Sequence, residues 1–163
     1  DKDGNGYGGI GSASCGSLGY AISDLKYAKK VVLVTGSYSE SSYDNEFDGT
    51  DIKLIPSSDN LNLVIESTAE SNKINIAKGN VYCSDVFYSE EYDYKQRARE
   101  KNVIGIEMET FALFYNARKL GKQATALLTV SDLFYAEDKL TSEEREKSLE
   151  DMVVLALESC LKL

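Results

Sequence analysis

Residues 103–130 constrain the fold of this chain more than any other stretch of the sequence. Val103 to Ile106 predicts a short strand, Met108 to Leu120 carries apolar side chains at helical spacing, and Ala124 to Val130 predicts a second strand. Gly121 suits the end of the helix, where a left-handed residue is common. A strand, a helix and a strand in so short a span predict a right-handed crossover between two parallel strands.

Strand and helix signals continue along the rest of the chain and predict one α/β domain over residues 1–163. Further strands are expected at Val31–Val34, Ile52–Ile55 and Ile74–Val81, and further helices after Ser57 or Ser58 and over Glu91–Lys101.

The carboxy-terminal segment predicts a long amphipathic helix. Thr141 and Glu144 have the spacing of a capping box, in which the two side chains satisfy the first free amide groups of a helix. Apolar residues follow at helical spacing and predict one stripe packed on the sheet: Leu149, Met152, Val153, Ala156, Leu157, Cys160 and Leu161.

Residues 1–29 have a different character, because seven of the twelve glycines lie within the first nineteen residues. Glycine loses the most backbone freedom when it is ordered, so such a segment resists regular structure. We expect an irregular backbone here, which leaves open a phosphate-binding loop, a disordered segment or a broken start.

Composition excludes several classes of function. The net charge of −9 argues against a nucleic-acid partner, and without an apolar run of 18 residues we expect no membrane span. The chain has no histidine, and its three cysteines lie far apart, which argues against a metal site and favours reduced thiols in the cytoplasm. Residues 1–7 begin like a calcium-binding loop, but Ser12 stands where such a loop has its glutamate.

Polar residues follow two of the predicted strands at the point where each ends. Glu107, Met108 and Glu109 follow one strand, and Ser131 and Asp132 follow the next. Ligands of parallel α/β sheets bind beyond the carboxyl ends of strands, so we expect both groups in one crevice. Carboxylates accept hydrogen bonds from sugar hydroxyls and methionine supplies an apolar wall. The alternative is that these acidic residues only cap the following helix, where the helix dipole favours them.

These two motifs resemble those of the hexameric, bacterial-type purine nucleoside phosphorylases. The likeness covers residues 30–163 and rests on Gly105–Glu109 and Leu128–Asp132, together with Ser84–Tyr88 upstream and Glu143–Arg145 downstream. It implies a three-layer α/β/α fold with a mixed, largely parallel central sheet. It also implies phosphorolysis of purine ribonucleosides and deoxyribonucleosides to free base and pentose 1-phosphate in purine salvage.

The resemblance also implies roles for individual residues. Asp132 matches the general acid that protonates the leaving purine, and Arg145 matches the residue that approaches this acid when the site closes. Glu109 and Met108 would bind the ribose, while Glu107 would support ribose or base. Three further residues have implied roles. Phe87 would stack on the purine, and Ser131 would orient Asp132 or contact the base edge. Ser14 would bind phosphate.

The first thirty residues fit this family poorly. Gly11 stands where the family has a phosphate-binding arginine, and the family's amino-terminal segment has no counterpart. Two alternatives therefore stay open: a nucleosidase of the same superfamily, which uses water instead of phosphate, and an inactive nucleoside-binding fragment. The expected partners are a purine nucleoside and inorganic phosphate as co-substrate, with no cofactor. The family implies a homo-oligomer, a hexamer built as a trimer of dimers.

Overall fold

The computed structural model describes residues 10–12, 18–19, 31–86, 94–132 and 142–163. Only the backbone is described for 10–12, 18–19, 94–95, 131–132, 142 and 144–148. In chain order the elements are β1 (Ile10–Ser12), β2 (Leu18–Gly19), β3 (Val31–Ser39), α1 (Tyr43–Asp48), β4 (Leu54–Pro56), α2 (Asp59–Asn72), β5 (Ile76–Cys83), α3 (Tyr94–Glu100), β6 (Gly105–Glu107), α4 (Thr110–Lys119), β7 (Thr125–Asp132) and α5 (Ser142–Cys160).

The strands form one mixed sheet that closes on itself. Its order is β1-β7-β2-β6-β5-β3-β4, and β7 also pairs with β3. The strands β3, β5 and β6 are mutually parallel, whereas β7 is antiparallel to β3 and parallel to both β1 and β2. Strands β7, β2, β6, β5 and β3 therefore form a closed ring, with β1 and β4 attached beside β7 and β3.

Alternating residues of β3 face two separate apolar layers. Val32 and Val34 pack in a cluster with α4, including Phe111 and Phe114. Val31 and Leu33 pack in a second cluster with side chains of α2 and α5. This period of two is the geometry of a strand buried on both faces. The expected three-layer α/β/α fold with a mixed sheet is thus confirmed.

The predicted crossover between parallel β6 and β7 is wrong. These strands do not pair with each other, because β2 lies between them, antiparallel to β6 and parallel to β7. The local elements were placed correctly, and Gly121 takes the left-handed conformation expected after α4, with φ of 64°. Strand direction is decided by hydrogen bonding to β2 and β3, which are distant in sequence.

The predicted apolar stripe of α5 is only partly buried. Of its members, Met152 is in the core and Ala156 packs against the same cluster, which also contains Leu155 from outside the predicted stripe. The other members are exposed: Leu149, Val153, Leu157 and Leu161 by 40%, 45%, 62% and 83%, together with Cys160. The helix therefore presents a narrower apolar face to the sheet than its periodicity predicts. The proposed cap, Thr141, lies outside the described residues.

We predict that Gly79→Ala destabilises the protein by about 1–3 kcal/mol, the usual cost of overpacking a filled core. A Cβ at this position of β5 would lie 2.8, 2.9 and 3.0 Å from Cδ1, Cγ2 and Cγ1 of Ile104. Urea unfolding measures the change. In an Ile104→Ala background the same substitution should cost much less, because the clashing atoms are gone. Equal costs in both backgrounds would contradict this explanation.

Candidate functional site

The ends of β6 and β7 meet on either side of β2. Gly19 of β2 pairs with Ile106 of β6 on one side and with Asp132 of β7 on the other. Since neighbouring strands are spaced by about 4.8 Å, Ile106 and Asp132 lie roughly 10 Å apart at the backbone. Strands β6 and β7 run in opposite directions. Their carboxyl ends nevertheless lie close together, because Gly19 contacts β7 only at its last residue, Asp132, and contacts β6 at Ile106. The two polar motifs are therefore neighbours, as expected, but through an intervening strand.

The carboxyl group of Glu107 lies inside the protein and holds the start of α4. The side chain is only 5% exposed. The amide groups of Glu109 and Thr110 each donate to Glu107 Oε2 at 2.8 Å, and Thr110 Oγ1 lies 2.5 Å from Glu107 Oε1. Thr110 Oγ1 also bonds to Ser37 Oγ of β3 at 2.8 Å. Glu107 thus satisfies amides that the helix itself leaves free.

Burial sets the electrostatics of this group. Removal from water disfavours a charged carboxylate and raises the pKa of Glu107, while the hydrogen bonds from Thr110 and from the two amides oppose the shift. Burial, together with the nearby charge of Glu107, raises the pKa of the Cys83 thiol. Cys83 is therefore held as a neutral thiol, which is not a nucleophile.

Met108 and Glu109 project from the same turn but face outward. Met108 is 39% exposed and Glu109 is also exposed. Glu109 occupies the amino-terminal cap position of α4, yet its side chain makes no capping hydrogen bond. Glu109 Oε2 accepts a hydrogen bond from the amide of Met108 at 3.2 Å. An exposed carboxylate and an exposed thioether thus lie beside the end of β7, and they suit a polar hydroxylated ligand with an apolar face.

A small cavity of about 120 Å³ lies where β3 and β5 end, next along the sheet from β6. Its lining residues are Glu40, Ser41, Tyr82, Cys83, Ser84, Asp85 and Val86. The amide of Ser84 donates to the backbone oxygen of Glu107 at 2.8 Å, which connects this wall to the Glu107 turn. Glu40 accepts hydrogen bonds from the hydroxyls of Tyr38 and Tyr82 and pairs with Arg97.

Several predicted site residues lie outside what the structure describes. Phe87 and Ser14 are outside the described residues altogether. Ser131 and Asp132 are placed by backbone at the end of β7, and Arg145 by backbone within the first turn of α5. Their roles remain predictions. Sequence reasoning missed Thr110 and Ser37, because the bond that joins their hydroxyls links residues 73 positions apart in the sequence.

Within the described part of the chain, no helix is long and apolar enough to cross a membrane. The same residues include no group of three His, Cys, Asp or Glu side chains that could hold a metal ion.

Comparison with known proteins decides the family. A family model described as the phosphorylase superfamily matches residues 10–162. The chain belongs to the phosphorylase superfamily. The match includes both polar motifs and the cavity wall of β5, so the turn at Glu107 lies within the part of the chain that the superfamily shares.

Individual members of the superfamily give finer comparisons. A DeoD-type purine nucleoside phosphorylase of Mycoplasma genitalium is 39% identical over 151 residues, which cover 91% of this chain and 63% of that protein. The DeoD-type enzyme of Listeria welshimeri is 33% identical over 147 residues, covering 90% and 62%. The chain therefore spans less than two thirds of the length of these curated relatives.

A solved structure shows the same fold. The 5'-methylthioadenosine/S-adenosyl homocysteine nucleosidase of Campylobacter jejuni superimposes with a TM-score of 0.72 at 19% identity, covering 90% of this chain and 66% of that one. The likeness extends over nearly all of this chain, so the two proteins share their fold over that length.

Proposed function

We propose that this chain carries the nucleoside-binding part of a purine nucleoside phosphorylase. The observation that carries the proposal is the turn 107–109, which presents an exposed carboxylate and an exposed thioether beside the end of the strand that contains Asp132. The identity of 39% to a protein named as a DeoD-type purine nucleoside phosphorylase supports it.

In the proposed reaction a phosphate oxygen bonds to the anomeric carbon while the bond from that carbon to N9 of the purine breaks. The bonding electrons leave with the purine, and the sugar passes through an oxocarbenium-like state. Asp132 would donate a proton to N7, so that the base departs neutral. An unperturbed Asp has a pKa of about 3.9, so the site must hold this proton by desolvation or deliver it on closure.

The other predicted residues would bind and close the site. Glu109 would accept hydrogen bonds from the ribose hydroxyls, with Met108 against the sugar face and Phe87 against the purine. Ser131 would orient Asp132, and Arg145 would approach Asp132 when the start of α5 closes and excludes water. Ser14 would bind phosphate, the co-substrate.

The resemblance to this family leads to further proposals about the whole protein. We infer a homo-oligomer, a hexamer of three dimers, located in the cytoplasm and acting in purine salvage. The resemblance to hexameric enzymes and the DeoD-type relatives support these inferences.

A nucleosidase is the second candidate, and one observation favours it. Gly11 stands where phosphorylases of this type have a phosphate-binding arginine. Without that cation a phosphate dianion loses a charged hydrogen bond, whereas attack by water needs no such group.

We predict that the protein releases hypoxanthine from inosine only when phosphate is present. Base release is measured by absorbance, with and without phosphate, and the sugar product is identified as ribose 1-phosphate or free ribose. Equal release without phosphate would assign the chain to the nucleosidases. Binding of inosine by calorimetry without release under either condition would identify an inactive nucleoside-binding fragment. Neither binding nor release would contradict the proposal.

A further inference from the structure

We propose that Glu107 is a positioning residue, whose buried carboxyl group fixes the turn that presents Glu109 and Met108 to the sugar. The inference rests on the proposed function, since it assigns how the nucleoside site is held in shape. It gives Glu107 a role distinct from its neighbour Glu109, although both are glutamates of one short motif.

The first argument is the direction of the carboxyl group. Glu107 is 5% exposed and its oxygens face Thr110 and the amide of Glu109, whereas Glu109 is exposed. A group buried in this way reaches a ligand only if the turn unfolds. Its oxygens instead bind the two amides that begin α4, at 2.8 Å each.

The second argument is that the turn is anchored on three strands. Thr110 Oγ1 bonds both to Glu107 and to Ser37 of β3. The backbone oxygen of Glu107 accepts from the amide of Ser84, just after β5, and Glu107 pairs with Cys83 along the β5–β6 register. Glu107 therefore joins β6, β5 and β3 to the backbone that carries Glu109.

The third argument concerns precision. Glu109 makes no capping hydrogen bond to α4, and its Oε2 accepts from the amide of Met108 at 3.2 Å, within the turn itself. Its position depends on the backbone at 107–110. Misplacing a ligand-binding group by about 1 Å costs up to about 100-fold in rate, so a residue that fixes this backbone should govern how well the sugar is recognised.

The test compares Glu107→Leu with Glu107→Gln. Leucine removes both acceptors, whereas the glutamine oxygen still accepts from the amides and its NH₂ group can donate to Thr110. We expect Glu107→Leu to lower the preference for inosine over 2′,3′-dideoxyinosine, measured as a ratio of kcat/KM, about tenfold or more. Glu107→Gln should restore most of this preference. Amide hydrogen exchange at Glu109 and Thr110 should accelerate in the leucine variant.

A double-mutant cycle separates positioning from general stability. In a Glu109→Ala background, Glu107→Leu should change the sugar preference by less than about twofold, because the positioned group is already gone. Thr125→Val is the matched control for lost stability. It removes a buried hydrogen bond of 2.6 Å to Asn62 at the opposite end of β7, and should leave the sugar preference unchanged.

Each outcome has a separate meaning. If wild type cleaves inosine and its sugar preference survives Glu107→Leu, the positioning role is wrong while the proposed function stands. If Glu107→Leu lowers the sugar preference by the same factor in the wild-type and Glu109→Ala backgrounds, Glu107 acts through stability alone and the inference fails. If wild type neither binds inosine by calorimetry nor cleaves it, the proposed function is wrong and the inference falls with it.

Discussion

Asp132→Asn is expected to lower kcat/KM for inosine by about 100-fold to 10,000-fold, the contribution typical of general acid catalysis. Asparagine has nearly the same size as aspartate, but its amide is too weak an acid to transfer a proton to N7 of the purine, which is the role proposed for Asp132. The loss should appear mainly in kcat, because proton transfer belongs to the transition state rather than to substrate binding. Steady-state kinetics with saturating phosphate measure it.

A substrate that needs no proton is the control for this variant. A purine nucleoside alkylated at N7 carries a positive charge on the base, so its base leaves as a neutral molecule without an acid. Asp132→Asn should cleave this nucleoside within about threefold of wild type, since the acid's contribution is not used. If both substrates lose activity equally, Asp132 acts through folding or binding. Full activity on inosine would remove Asp132 from the mechanism.

Tyr115→Ala is expected to cost about 3–5 kcal/mol of unfolding free energy, as for other buried aromatic residues cut back to alanine. Tyr115 of α4 is fully buried. Its ring contacts those of Phe111, Phe47 and Tyr43, with centroid distances of 6.2, 5.7 and 5.9 Å. The substitution therefore leaves a cavity between α4 and α1.

The hydroxyl of Tyr115 gives a second measurement at the same position. It donates to Asp48 Oδ1 at 2.7 Å and bonds to Thr50 Oγ1 at 2.8 Å. Lys119 pairs with Asp48, and this ion pair together with the Tyr115 hydroxyl holds the pKa of Asp48 well below its usual range. Tyr115→Phe keeps the ring and should cost only about 1–2 kcal/mol.

Urea unfolding followed by circular dichroism measures both Tyr115 variants. Phe47→Ala is the matched control, because Phe47 belongs to the same ring cluster but is 57% exposed, and it should cost clearly less than Tyr115→Ala. The contrary result is that Tyr115→Ala costs no more unfolding free energy than Tyr115→Phe. That result would show that packing of the Tyr115 ring in this cluster contributes little to stability.

Local sequence predicted the elements whose residues are buried on a regular period. The Val31–Val34 run predicted β3, and a helix was predicted after Ser57 or Ser58. Helix α2 begins at Asp59, with Ser58 in the cap position but without a side-chain capping hydrogen bond. The strand continues beyond its apolar run to Ser39, because Ser37 bonds to Thr110 and Ser39 Oγ donates to the backbone oxygen of Cys83. Hydrophobic periodicity does not predict polar residues within a strand when their hydrogen-bond partners are distant in sequence.

Periodicity missed helix α1, Tyr43–Asp48, and also the short strands β1 and β2, which lie within the segment expected to be irregular. The sequence of α1 is polar and carries a single strongly apolar residue, Phe47. What holds it is tertiary: the buried carboxylate of Asp44 accepts from the amide of Ile52, and Tyr43 and Phe47 contact Tyr115. A short helix gains too little from its own hydrogen bonds to be predicted without these contacts.

Residue order and helix capping are local, so the sequence predicted that a carboxylate, a thioether and a second carboxylate stand in a turn before a helix. It also determined an α/β class, since the apolar periods alternate between two and 3.6. Only the tertiary structure decided that Glu107 turns inward while Glu109 stays exposed, and that β2 brings Asp132 beside them. Both depend on which distant strands pair, and pairing is set by closure of the whole sheet rather than by any one segment.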